Sequence, residues 1–265
     1  MLRSMITATN TMGQLQTQLD SISNNLANTD TNGYKSTTTT FSELVRQQMN
    51  NGPEESEEVG RMTEYGIRSG VGAKAISQLN FQQGSLKMTG RELDFAFTSP
   101  EHFLQVLVDG EVHYTRDGSL YLSETKNNQF MLATANGHPV LGDDNNPIII
   151  DENNHGLTIT EQGTIVSEND LQNQLGIVQL DQPQLLTKEG NNLYSLKNIG
   201  DQEIINVVTY LERNEVKVQP GALESSNVDM TKEMTDMMVT QRAYQLNAKS
   251  ITIGDQMLGL INSVR

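Results

Sequence analysis

Few places in these 265 residues combine residue types and spacings that could do chemistry. Gly70-Val71-Gly72-Ala73-Lys74-Ala75 fits a loose glycine-rich pattern of the kind that cradles phosphate. Phosphate cradling needs a buried strand before the glycines and a helix after them, so that free backbone N–H groups meet the anion. Here a polar segment precedes and strand-like sequence follows. Asp151-Glu152-Asn153-Asn154-His155-Gly156 begins like a calcium loop, but Gln162 stands where a bidentate acid is required, so a polar turn is the simpler reading. His102, His113, His138 and His155 show no metal-ligand spacing, and a lone histidine more often hydrogen-bonds than ligates. With 33 Asp and Glu residues, any carboxylate pair chosen as acid and base would be arbitrary. Cysteine is absent, which removes thiolate nucleophiles, disulfides and zinc-thiolate sites. The chain reads as a non-enzyme with no cofactor and no metal.

Composition narrows the partners. A formal net charge of -15 with no concentrated basic stretch excludes a general nucleic-acid binder, because nothing could neutralise a run of phosphates. The same acidity disfavours anionic membranes. No apolar run approaches the roughly 18 residues of a membrane span, so no membrane insertion is expected. Arg3 is followed by alternating polar and apolar residues and not by a hydrophobic stretch, so a cleavable secretory signal is not expected either.

The strongest periodicity lies at the two ends. Met5, Ala8, Met12, Leu15, Leu19, Ile22 and Leu26 alternate in three- and four-residue steps, a seam on one face of a helix running from about residue 2 to 28. Asn28, Thr29, Asp30, Thr31 and Asn32-Gly33 then stop it, with Asn32-Gly33 able to supply left-handed backbone. The segment 223–265 reads as a helix with two apolar stripes. Met230, Met234, Met237, Tyr244, Ala248, Ile251 and Leu258 form one, and Val239, Ala243, Leu246, Ile253, Met257 and Leu260 the other. A helix apolar on two sides must be covered on two sides. The N-terminal seam is the partner for the first stripe, which makes Met5, Met12, Leu15, Leu19, Ile22, Leu26, Met234, Met237, Tyr244, Ile251 and Leu258 the intrachain pair. The second stripe, with Val239, Leu246, Ile253, Met257 and Leu260, is left for contacts between subunits, as in a polymer.

Between the ends the pattern changes. Phe41, Leu44, Val45 and Met49 predict a short amphipathic turn or helix, followed by an acidic stretch at 50–58 broken by Gly52-Pro53. That stretch reads as a mobile loop or linker, or one that orders against a neighbouring subunit. From residue 67 to about 220 the period is strand-like. Residues 104–108, 112–116 and 120–122, punctuated by Asp109-Gly110 and Asp117-Gly118, predict a β-meander. Further short strands at 130–134, 140–141, 148–150, 157–160, 164–166, 176–180, 204–211 and 216–218 favour a β-sandwich or barrel-like domain.

Ser23-Asn24-Asn25-Leu26-Ala27-Asn28 followed by Thr31-Asn32-Gly33-Tyr34-Lys35 resembles the N-terminal signature of the bacterial flagellar rod and hook axial family. Leu223-Glu224-Ser225-Ser226-Asn227-Val228-Asp229, with Gln241-Arg242-Ala243-Tyr244 and Asn247, resembles that family's C-terminal signature. Asn24, Asn25, Asn28, Gly33, Tyr34, Asn227, Gln241 and Arg242 are the signature positions. Gly84-Ser85-Leu86, Leu93-Asp94-Phe95-Ala96 and Tyr114-Thr115-Arg116-Asp117-Gly118 extend the resemblance into the middle. At Ser99-Pro100-Glu101-His102-Phe103 the chain departs from the glycine-rich turn of its relatives. Taken without the resemblance, the asparagines could be exposed positions and a helix cap, and Tyr34-Lys35 the start of a strand.

The expected architecture is mixed α and β. Long N- and C-terminal helices pair as a coiled coil, with a central all-β domain between them. The segments are 1–35 (N-terminal helix), 36–66 (connector), 67–220 (β-domain) and 221–265 (C-terminal helix). The resemblance implies a structural subunit of the flagellar basal-body rod, most like the distal rod protein. It would be exported by the flagellar type III export apparatus without a cleavable signal, self-assembling beside other rod and hook proteins into a tube that transmits torque and conducts exported subunits. The alternatives are a proximal rod or hook-type subunit, or an extracellular adhesive or ligand-binding β-domain on a coiled-coil stalk.

Overall fold

The computed structural model describes residues 2–43, 46–49, 67–70, 73–125, 129–151, 156–167, 172–196, 207–211 and 213–263. The acidic stretch at 50–58, Leu44, Val45, Val71-Gly72, most of the calcium-like loop (152–155) and residues 204–206 lie outside them. An N-terminal helix, a β-rich middle and a C-terminal helix follow in that order. The chain divides into two compact units, one of Met1–Leu26, Thr37–Gln78 and Met230–Arg265, the other of Ala27–Ser36 and Leu79–Asp229.

In the first unit, helix α1 spans Leu2–Ala27. Its seam is its least exposed face: Ala8, Leu15 and Ile22 are buried and Met5, Met12, Leu19 and Leu26 partly so, while Ile6, off the seam, is exposed. Helix α2 spans Met230–Ser263. It starts later than the sequence pattern predicts, because Ala222–Glu224 is a strand and Asn227 spends its side chain on distant backbone. Between the helices runs a two-stranded ribbon in two stretches. Thr37–Glu43 pairs with Ala73–Leu79, and Arg46–Met49 pairs antiparallel with Ile67–Gly70. The turn or helix expected around Phe41 is therefore strand, as the β-branched run Thr37-Thr38-Thr39-Thr40 favours. The segment after Gly70-Val71-Gly72 is likewise a strand, Ala73–Leu79, and not the helix a phosphate cradle requires.

The second unit is built on a six-stranded sheet. Its order is Thr187–Gly190, Leu193–Ser195, Glu111–Thr115, His102–Val108, Ile177–Leu180, Val208–Tyr210, each neighbour antiparallel to the next. Successive side chains on a strand face opposite ways. Leu104, Val106, Ile177 and Leu193 accordingly enter one core with Phe95, Phe97, Leu120 and Leu132, while Phe103, Val178 and Tyr194 enter another with Leu180 and Val207. The central strand is thus buried on both faces, with His102 through Val106 all enclosed. The unit also holds two three-stranded sheets and two short pairs. In the pairs, Phe95–Phe97 meets Val218–Pro220 and Leu86–Met88 meets Ala222–Glu224.

Asp109-Gly110 makes the expected hairpin, with φ of 50° and 88° at its two central residues, the left-handed pair that a tight turn between twisted strands requires. The predicted meander stops there. Leu120–Thr125 pairs with Gln129–Thr134 in a different sheet. Asp117 turns the chain by accepting from the N–H and hydroxyl of Ser119, and Gly118 passes so close to the Phe95 carbonyl that a Cβ would collide with it.

Candidate functional site

Two arrangements stand out: the faces of the helices, and a cluster of charges enclosed in the β-rich unit. On α2 the less exposed face runs through Met237, Thr240, Tyr244, Ile251, Gly254 and Leu258. Met234 of the same predicted stripe is 46% exposed, and the neighbouring Glu233 instead accepts from Asn25 Nδ2 at 3.0 Å. Near the far end, a Cβ at position 254 would come within 3.1 Å of Met5 Cγ, so a glycine there admits α1 closely. The other predicted stripe is open: Val239, Leu246, Ile253, Met257 and Leu260 are all exposed, Leu246 at 69%. Met238 and Ile261 add to it.

The signature asparagines hold chain crossings. Asn25, buried, accepts from the Thr37 N–H through Oδ1 and donates to the Thr37 carbonyl through Nδ2, both at 2.9 Å. A side-chain amide can replace a strand neighbour in this way because it offers one donor and one acceptor side by side. In the β-rich unit, Asn227 Oδ1 accepts from Ser36 N at 2.7 Å while its Nδ2 donates to the carbonyls of Asn80 and Gln82. Asn28 accepts from the Thr31 hydroxyl just past the helix end. Gly33 has φ of 68°, and a Cβ there would strike the Arg116–Asp117 backbone, so only glycine fits. Tyr34 is buried, with the Lys188 ammonium 3.9 Å from its ring centre. Asn24, Gln241 and Arg242 are exposed.

At the centre of this region lies Glu224. Its Oε1 accepts from Lys35 Nζ at 2.7 Å and from Gly84 N at 2.8 Å, and its Oε2 accepts from Arg116 Nε at 3.0 Å and Nη2 at 2.7 Å. All three charged side chains are at most 1% exposed. Arg116 Nη1 donates to the carbonyls of Ser99, Pro100 and His102. The rings of Phe97 and Phe103 flank the guanidinium. Burial pushes the Lys35 ammonium down to about 8, helped by Arg116 and opposed by Glu224. Burial alone would raise the Glu224 carboxyl, but Arg116 and then Lys35 hold it below its ordinary value. Burial, then Arg116, lowers His102. Two cations share one anion, every side chain is engaged, and no open face is left for a substrate.

The residues with apparent chemical potential do not converge. His113 pairs with Glu189 at 2.8 Å, and the same carboxylate takes the Ser195 hydroxyl on its other oxygen, so it bridges the two and orients neither toward the other. No group of three or more His, Cys, Asp or Glu among the described residues could hold a metal. No helix among them is long and apolar enough to cross a membrane. The charge cluster went unrecognised in the sequence, although Lys35, Arg116 and Glu224 each sit inside a signature motif. The usable signal is a charged residue closing a short strand-like run, as in Ala222-Leu223-Glu224 and Tyr114-Thr115-Arg116.

Comparison with known families and proteins points one way. Residues 5–35 match the family described as "Flagella basal body rod protein". Residues 99–167 match "Flagellar hook protein FlgE/F/G D1 domain", and residues 219–264 match "Flagellar basal body rod FlgEFG protein C-terminal". The chain is 50% identical over 272 residues to the flagellar hook-basal body complex protein FlhP of Bacillus subtilis, with 100% of each chain covered. It is 32% identical over 274 residues to the flagellar basal-body rod protein FlgG of Borreliella burgdorferi, covering 100% of this chain and 99% of that one. To FlgG of Bacillus subtilis it is 33% identical over 269 residues, with 97% of each covered.

Proposed function

The chain belongs to the flagellar basal-body rod family, whose members are structural subunits, and from that membership we propose how it assembles. Helices α1 and α2 pair as a coiled coil through the α1 seam and the Met237, Tyr244, Ile251 and Leu258 face of α2. The exposed stripe Val239, Leu246, Ile253, Met257 and Leu260 packs on neighbouring subunits. Contacts of this heterologous kind, repeated without closing, generate a helical tube. The tube passes torque to the hook and conducts exported subunits through its bore, and the chain itself reaches its place through the flagellar export apparatus. Rod and hook proteins are its neighbours.

The observation that carries this reading is the open stripe. It extends over about six turns of the 34-residue α2 and holds five large apolar side chains that the described residues of the chain leave exposed. Scattered exposed apolar residues are ordinary, but a continuous row of them on one helix face marks a contact surface.

The test is Leu246→Asp and Ile253→Asp in the motile organism. The expected outcome is loss of rods and of swimming while the variant is still exported, with the isolated chain melting within about 0.5 kcal/mol of the parent because both positions are exposed. Normal rods and normal swimming in both variants would overturn the assignment.

A further inference from the structure

Three separate lengths of chain meet at Glu224. One is residues 33–36, where the Gly33 N–H donates to the Glu224 carbonyl at 2.7 Å and Lys35 reaches the carboxylate. The second is residues 82–85, where Gln82 O accepts from Lys35, Gly84 N donates to Oε1 and Ser85 O accepts from Ser225 N. The third is Arg116, whose Nη1 bonds to Ser99, Pro100 and His102 fix the loop entering the central strand. Glu224 itself ends the strand Ala222–Glu224, just after Val218–Pro220, and these two strands supply the partners of Leu86–Met88 and Phe95–Phe97.

Arg116 and Lys35 stand 108 and 189 residues before Glu224 in the chain. Neither cation can shed its water at a site with side-chain exposure of 0–1% until an anion is present to replace that water. The hairpin between His102–Val108 and Glu111–Thr115 needs only local closure, whereas bringing 218–224 back to 33–36 and 84–97 closes much longer loops. The site is also unbalanced, with two cations to one anion, so a half-closed state would hold two unpaired charges in an apolar shell of Phe97 and Phe103.

We propose that Glu224 is the latch of the β-rich unit, the group whose late arrival allows the Lys35 and Arg116 region to close. Before it arrives, residues 33–36, 82–85 and 99–102 remain hydrated around a partly formed sheet. The latch is a property of the folded chain alone and stands or falls independently of how subunits assemble.

The test uses the full chain and its tyrosine fluorescence, since it has seven tyrosines and no tryptophan, in denaturant-jump refolding and unfolding. A contact made after the folding barrier changes the unfolding rate and leaves the folding rate alone. Glu224→Gln, nearly the same size, is expected to unfold at least about tenfold faster while refolding within about threefold of the parent. Adding Lys35→Met to Glu224→Gln removes one of the stranded cations and is expected to slow unfolding again, because Arg116 keeps its three carbonyl acceptors. Slower refolding of Glu224→Gln with unchanged unfolding would overturn the proposal, as would unchanged rates in both directions. Should Glu224→Gln alone fail to fold, a folded double variant supports the latch and an unfolded one overturns it.

Discussion

The β-rich unit encloses Phe95, Phe97, Phe103 and Leu104 completely and commits even charged groups to its interior. The unit of helices and ribbon buries only Ala8, Leu15 and Ile22 among its described apolar residues, each still 5–7% exposed, and leaves a row of leucine, isoleucine, valine and methionine open on α2. Both are parts of one chain with the same composition to draw on, so the contrast is one of where stability comes from. Core packing of this density supports itself. A long helix with little covered apolar surface is only marginally favourable in water, and its ribbon has two strands where independent stability takes three or more. The first unit leaves apolar surface open where the second has enclosed its own.

The largest effect that would sharpen this contrast is expected from Arg116→Ala. Removing one partner from a buried, hydrogen-bonded charge cluster costs about 3–5 kcal/mol. Thermal melting followed by near-ultraviolet circular dichroism should show the β-rich unit lose most of that amount, while helix content at low temperature stays close to the parent. Simultaneous loss of helix and sheet would break the contrast and join the units into one cooperative whole.

A smaller effect is expected from Asn25→Ala, on the other side of the comparison. The Thr37 N–H and carbonyl lose their partner, a loss of about 1–3 kcal/mol where such groups stay buried. Amide exchange at Thr37 should quicken, and exchange in the strand His102–Val108 should not. Equal quickening in both would contradict the separation of the two units.

The smallest expected effect is with pH. Lys35 titrates near 8 in the folded chain against an ordinary 10.5, so the folded state releases its proton first. Between those values the unfolded chain holds more protons, and stability of the β-rich unit therefore rises as pH rises through that window. Melting temperature should climb slightly from pH 7 to 9 in the parent relative to Lys35→Met. The same climb in the Lys35→Met variant would remove Lys35 from the account.

The sequence showed these two regions with unequal clarity. Helix α1 was readable because an uninterrupted three-four spacing has few other meanings, and the Asp109-Gly110 turn because left-handed backbone of this kind favours such pairs. The path after Gly118 was not readable, since the choice between a third hairpin strand and a departure to another sheet depends on the Phe95 carbonyl, which is near only in space. Glu224 lies inside a recognisable motif, yet its role depends on Lys35 and Arg116, separated from it by 189 and 108 residues. Long-range ion pairing leaves no periodic trace. Phe41 shares a helical spacing with the apolar residues after it, while the four threonines just before it carry the better signal.

Gly33, Tyr34 and Lys35 belong by their contacts to a unit whose remaining chain lies beyond residue 79. For descent among relatives, this makes the unit of exchange discontinuous. A recombination event that transplants residues 79–229 from one rod protein into another brings Arg116 and Glu224 but leaves the recipient's own residues 27–36 to complete the charge cluster and to thread the glycine past Arg116. Such a chimera inherits a working interior only where the recipient already supplies glycine and a cation at those two positions. The short N-terminal signature is thus constrained from two sides at once, by the helix it ends and by the distant sheet it completes.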